Sequence, residues 1–456
     1  IVGNGVMVDL TTATKVAENV VRGGVQITKN DAELGKSEAI GGDGHTGGLY
    51  GTDLNNIEFT ITNTSPGYVT VNGVSYAPNA IVKTMLSHWN ATLGKYTAET
   101  TNIELPYGTY SVRETKTNGT YLLTDGLPKT FNIRTQGTMV TTTSTSTPLT
   151  FNNNVIRGDF NFNKIASGTS ARMSTLFIVT NDTTGERHVI ATDTNGEFYS
   201  SADKNTLHST NTNGNDTLLA AIDAGTVINM EDVNFASGTW FGEGEDGSIS
   251  TPDDTKGALP YGRYTISEVK TDTNAEYGLQ RFNFYVFKDG RDVGVGTIID
   301  EHIGITTSVM DSETETRECS ADGEVTLIDT VTYEGLTPGV EYTVVGNLVD
   351  KATGLYIQDP LTNENIEAST TFTPNSAKGA IEVLFTLDGS ALKGLDVVVF
   401  ETVYAGELKV ATHADINDNN QTIHFPELET TATDNATTTH SGSINETTVI
   451  TDIVDC

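Results

Sequence analysis

The residue types in this chain that could do chemistry together recur in two parallel sets. A lysine stands at the same offset after an Arg-Gly pair in NVVRGGVQITK (Asn19 to Lys29) and in NVIRGDFNFNK (Asn154 to Lys164). Downstream of each comes a glutamate, Glu114 in LPYGTYSVRETKT and Glu268 in LPYGRYTISEVKT. A Pro/Gly turn feeding an alternating strand gives both acids inward-facing parity, and an inward carboxylate is costly unless something holds it. Aligning the closing strands on the Ile156 and Ile303 that follow them sets Asn153 opposite Asp300, with Asn152 and Asn154 as alternatives to Asn153. A lysine among apolar side chains loses its charge to desolvation and becomes a nucleophile. A buried glutamate stays protonated, polarises a carbonyl and shuttles protons. A single strand lysine or glutamate is usually solvent-facing or paired; the joint recurrence of offset and motif singles these out.

Short β-branched runs between Gly, Asn, Asp and Pro turns must position those residues. The expected class is all-β, tandem immunoglobulin-like β-sandwich modules in an elongated rod. A length of 456 residues exceeds one hydrophobic core and suggests about three domains. Repeats place them at 23–156 and 157–303, a different unit at 304–427, and the start of another like it at 428–456, where ETTATD echoes ITTSVMD. Residues 1–22 read as a linker or the tail of a preceding module, although TTATKVAENVV also suits a short helix. The first residue is Ile and the chain stops within a patterned segment, so a piece of a longer polypeptide is expected.

Sixty acids against 26 bases, a net charge of -34, argue against nucleic acid and anionic membranes as partners. No membrane-spanning run occurs, and membrane insertion is not expected. Two cysteines, Cys319 and Cys456, support neither a disulfide framework nor a cysteine-based zinc site. No cofactor or metal is expected; DINDNN alternates Asp and Asn like a calcium loop but lacks the bidentate glutamate spacing. Arg157-Gly158-Asp159 spells an integrin-binding tripeptide but aligns with Arg22-Gly23-Gly24, which makes it a module linker. The sequons at Asn90 and Asn118 follow from abundant Asn and Thr.

The lysine, LPxGxYxxxE glutamate and closing Asn or Asp resemble the collagen-adhesin B-type (Cna-B-like) domains of Gram-positive surface proteins and pili. That resemblance implies spontaneous isopeptide bonds, Lys29 to Asn153 assisted by Glu114 and Lys164 to Asp300 assisted by Glu268. The third unit, with VVVFETVY and HADINDNNQTI, resembles the Thr-Gln ester-bond (VaFE) domains of giant Gram-positive adhesins. The histidine lies eight residues before the glutamine, as in that family, at His413 and Gln421. The implied bond joins Gln421 to a threonine near the unit's start, Thr306 with its neighbour Thr307 as the alternative. His413, Asp329 and Glu401 would be the acid and base groups, because a hydroxyl needs a base and an amide needs an acid.

The reading this gives is a structural stalk segment of a cell-wall-anchored Gram-positive adhesin, extracellular, with bond formation that happens once and no turnover. A host or extracellular ligand would be met by a part of the protein outside this chain, and neighbouring copies in a fibre are a further expected partner. The alternative is a polymerising pilus backbone subunit. A secreted hydrolase is disfavoured, since neither GxSxG nor HExxH occurs.

Overall fold

The computed structural model describes residues 19–201, 204, 213–360, 362–427, 429–442 and 447–455. The linker-or-helix reading of the N-terminal stretch and Cys456 lie largely or wholly outside them. The fold is all-β; the α-helix Leu219–Asp223 is five residues long and accompanied by short 3-10 turns.

The strand Arg22–Asp31 buries Val25, Ile27, Lys29 and Asp31 on one face, so period-two alternation carries a lysine into the core in phase with two aliphatics. It pairs antiparallel with Lys95–Glu99 and parallel with Thr150–Asn153. The facing sheet runs Lys129–Ile133, Gly108–Lys116, Glu58–Asn63, Ile81–Leu86. Tyr110, Val112 and Glu114 point inward from it beside Phe59, Ile61 and Phe131.

Arg157–Ala166 repeats the plan, pairing antiparallel with Glu197–Tyr199 and parallel with Asp292–Asp300. Its facing sheet runs Arg187–Ala191, Leu176–Asn181, Gly262–Val269, Arg281–Val286. In both sandwiches, therefore, the first strand and the last are parallel neighbours. A chain can place them so only after a long excursion, which the facing sheet provides.

A third sandwich packs Gly304–Asp311, Glu324–Glu334 and Lys378–Asp388 against Glu367–Phe372, Tyr342–Asp350, Asp396–Ala405 and Leu408–His413. Cys319 is buried there and donates to Asp311 Oδ2 at 3.2 Å. Beyond it Glu429–Asp434 and Ile450–Asp455 form a hairpin whose register, Ala432 opposite Asp452, matches Val309 opposite Asp329. Two strands alone are marginally stable.

The joint between the first two sandwiches is closed by Arg157, 1% exposed. Its Nε and Nη2 donate to Glu33 at 2.9–3.1 Å, Nη2 also donates to the Phe241 carbonyl, and its guanidinium lies 3.8 Å from the Trp240 ring. Asp159 accepts from Ser200 and Ala258. The Arg-Gly-Asp tripeptide is thus folded inward and offers no charged pair to solvent. Removing one partner of a buried ion pair strands the other, at about 3 kcal/mol or more. Arg157→Ala is expected to lower the denaturant stability of the second sandwich by about that amount, and Arg22→Ala, less buried, that of the first sandwich by clearly less. Equal small losses would show that other contacts hold the joint.

Candidate functional site

In the first sandwich Lys29, Glu114 and Asn153 converge, all with no solvent exposure. Lys29 Nζ lies 3.3 Å from Glu114 Oε2 and donates to the Phe151 carbonyl at 3.2 Å. Asn153 Nδ2 donates to Glu114 Oε1. Asn152 points outward and Asn154 is half-buried past the strand end, so of the three asparagines the structure brings Asn153 to the lysine. Burial pulls the Lys29 amine down to about 8, against the opposing charge of Glu114. Burial pushes Glu114 up, and Lys29 and Asn153 restrain it. The amine is thereby brought toward its neutral form beside a carboxyl that favours its proton.

The second sandwich assembles Lys164, Glu268 and Asp300 from the same strands. Lys164 Nζ is 2.9 Å from Glu268 Oε2 and in close contact with Asp300 Oδ1. Sequence alignment left the equivalence of Asp300 with Asn153 resting on the closing isoleucines, and the register supplies an independent check. The residue two beyond the lysine faces the acceptor in both, Asp31 opposite Asn153 and Ala166 opposite Asp300. Burial raises Asp300, with the Glu268 charge adding to it and Lys164 opposing. Glu268 is also held by Asn274 Nδ2 at 2.9 Å, Thr175 Oγ1 at 3.3 Å and the Gln280 N–H at 2.9 Å. Sequence reasoning missed Thr175 and Asn274; the one available signal was an Asx turn in TDTN after the repeated motif. The Asn118 sequon is engaged too, its amide donating to the Asp53 and Asn55 carbonyls.

The third sandwich corrects one expectation. Ile305, Thr307 and Val309 face the core, whereas Thr306 lies on the outer face of Gly304–Asp311. The inward threonine is Thr307, whose Oγ1 donates to Glu401 Oε2 at 3.3 Å. Thr306 was the wrong neighbour, because a one-residue shift moves a side chain to the opposite face. Gln421, fully buried, donates from Nε2 to the same Glu401 Oε2. Asp329 is buried beside Glu401, and neither Asp329 oxygen, nor Glu401 Oε1, nor Gln421 Oε1 has a hydrogen-bond partner among the described residues. Burial raises both carboxyls, and repulsion from Asp329 drives Glu401 further up. A proton shared between them fits the orphaned oxygens, as in other close carboxyl pairs.

His413 faces Glu401 across the strand pair but sits half-buried at the rim, with Nε2 3.0 Å from Asp418 Oδ2. Its charge is one of the influences lowering Asp329. Asp418, which the sequence reading passed over within DINDNN, caps the turn that delivers Gln421. It accepts from the Asn420 N–H at 2.7 Å, while its carbonyl takes the Thr422 hydroxyl at 2.9 Å.

Residues 303–425 match the family model of the T-Q ester bond containing domain, and residues 48–147 match that of the SpaA prealbumin-like fold domain. Among curated proteins none matches by sequence. Similar solved structures include the Bacillus anthracis TIE protein, 15% identical over 89% of this chain and 50% of that one, TM-score 0.32. Another is a Mobiluncus mulieris adhesin containing intramolecular disulfide, isopeptide and ester cross-links, 11% identical over 33% of this chain and 72% of that one, TM-score 0.23. A third is the major pilin SpaD of Corynebacterium diphtheriae, 10% identical over 63% and 75%, TM-score 0.24. This chain spans about half the length of the first of these.

The carboxyl pair has a measurable consequence. Both acids are raised on folding, so the folded state holds more protons than the unfolded one above the ordinary carboxylate range near ~4. In a Gln421→Ala chain, which lacks the amide that Glu401 contacts, the stability of the third sandwich should therefore fall as pH rises above about 4. Adding Glu401→Gln should flatten the profile. A flat profile before that second change would mean that the pair is not held protonated.

Proposed function

We propose that this chain is a stalk segment of a Gram-positive cell-surface adhesin, in which three sandwiches each close an internal covalent bond. The observation that carries the reading is the threefold convergence of a nucleophile, a carboxyl and an acyl group at little or no exposure.

Lys29 Nζ attacks Asn153 Cγ, Glu114 passes a proton to the departing amide nitrogen it already touches, and ammonia leaves as an amide forms. Lys164 Nζ attacks Asp300 Cγ and water leaves, with Glu268 moving the proton. Thr307 Oγ attacks Gln421 Cδ to give an ester and ammonia. Glu401 touches both the attacking hydroxyl and the leaving nitrogen, so one carboxyl collects the first proton and returns it to the second group. Asp329, the less raised of the pair, shares the proton with Glu401, and His413 opposes the rise of Asp329. Each reaction happens once, so the sites are self-modifying rather than enzymatic.

The mechanical logic follows from the parallel pairing of first and last strands. Pulling a sandwich by its ends shears those strands, and a bond between them carries the force past the hydrogen-bonded ladder. Closing a loop of over a hundred residues also removes unfolded-state entropy equivalent to about 5 kcal/mol by the estimate used for disulfides. No reductant cuts such a bond. A host or extracellular ligand would bind a part of the protein beyond this chain.

The intact mass of the purified segment is expected to fall short of the sequence mass by two ammonia molecules and one water. Glu114→Ala should restore one ammonia, Glu268→Ala the water, and Thr307→Ala the other ammonia, whereas Thr306→Ala should change nothing in the deficit. A mass equal to the sequence mass would sink all three bonds. Detergent-resistant ladders of native material would move the reading to a polymerising pilin.

A further inference from the structure

We propose that Glu38, His45 and Glu245 form a binding site for one divalent cation of the zinc class, set in the joint between the first two sandwiches. Two segments distant in sequence supply the donors, Glu38 and His45 from one connection and Glu245 from the second sandwich, which is why no metal motif is legible in the chain. The ligand atoms all lie within 4.8 Å of one another. His45 Nδ1 is 3.0 Å from Glu245 Oε2 and 3.8 Å from Glu38 Oε2. Donors bound tetrahedrally at about 2.0–2.1 Å stand about 3.3 Å apart, so the set is already close to the size of a coordination shell.

Several features point to an ion rather than to a chance cluster. The Glu245 side chain has no solvent exposure. Glu38, its side chain 15% exposed, has its Oε2 out of solvent and without a hydrogen bond among the described residues, its contact there being the ion pair with His45. An acceptor in that position, 3.8 Å from an imidazole nitrogen, is open to a positive centre. Two carboxylates and a neutral imidazole carry two negative charges, which a divalent ion neutralises. Nitrogen among so few oxygens favours zinc over calcium, which takes six to eight oxygen ligands.

The donors are also held in place, as metal ligands generally are. Tyr96 OH donates to Glu245 at 2.8 and 2.9 Å, the His45 ring stacks on Trp89 with centroids 3.3 Å apart, and Asn55 Nδ2 donates to the His45 carbonyl. Backbone bonds join the two modules beside the site, from the Glu245 N–H to the Ala39 carbonyl and from the Gly41 N–H to the Glu243 carbonyl. Gly42 leaves the space Glu245 needs, since a Cβ there would lie 2.8 Å from Glu245 Cγ. A bound ion would add a coordinate link across the joint at the point where backbone contacts already fix its geometry.

Calorimetric titration of the chelator-treated segment with zinc chloride tests this. One equivalent should bind, and Glu38→Gln and His45→Gln should each weaken binding at least tenfold, while His440→Gln, at an exposed histidine far along the chain, leaves it unchanged. Circular dichroism and intact mass would confirm that the variants fold. Anomalous scattering from zinc-soaked crystals of the unaltered segment should place the ion among the three side chains. No uptake, uptake indifferent to both variants, or an anomalous peak elsewhere would overturn the proposal, whatever the fate of the three internal bonds.

Discussion

The structure depends on polar side chains placed at core positions by strand parity, above all the contact of a buried lysine with a buried carboxyl. Lys29 and Lys164 occupy positions where Val25, Ile27, Phe160 and Phe162 set the rule, and each meets a glutamate from the opposite sheet. Such a pair is a poor stabilising device, because removing two charges from water costs several kcal/mol per ion and the attraction between them barely offsets it. Turning amine and acyl group into a neutral amide would abolish that cost while joining the strands. In the first sandwich the same burial that makes the unreacted core unfavourable is what brings the Lys29 amine toward its nucleophilic form, so the strain of the precursor and the drive of the reaction have one source.

The three sites solve one problem with different acyl groups. In the first two sandwiches nucleophile and acceptor sit on parallel neighbours, and the two-residue offset in register is the same, so the glutamate reaches both from above. The third draws its threonine and Asp329 from one sheet and Glu401 from the other, with Gln421 delivered by a capped turn. A hydroxyl needs more help than a desolvated amine, and this site correspondingly has two carboxyls where the first has one. Their like charges, crowded together out of solvent, favour a shared proton, which leaves one member able to accept a proton while the other keeps its own.

How far the sequence could be read depended on whether a residue's role was set by local alternation. Glu114 and Glu268 were legible because a repeated turn fixes the phase of the strand after it. Lys29 and Lys164 were legible from their shared offset. The choice of Thr306 failed although Ile305 and Val309 carried the needed signal, since the parity of that strand favours Thr307. Thr175, Asn274 and Asp418 were not legible, because turns bring them to their partners and turn geometry has no period. Still less visible was the cluster of Glu38, His45 and Glu245, which exists only where two modules meet.

Bonds inside the sandwiches would shift the burden of force to the joints. A chain of cross-linked modules extends where one module meets the next, since each interior is spanned by a covalent path. The first joint is built accordingly, with Arg157 enclosed by Glu33, Trp240 and backbone carbonyls, and with backbone hydrogen bonds between residues 39–41 and 243–245. Arginine suits that place because its planar, weakly hydrated guanidinium satisfies a carboxylate, three carbonyls and a ring face at once, which a lysine could not do. The position that reads as a ligand-binding tripeptide in the sequence is therefore occupied by a residue spent on holding two modules together.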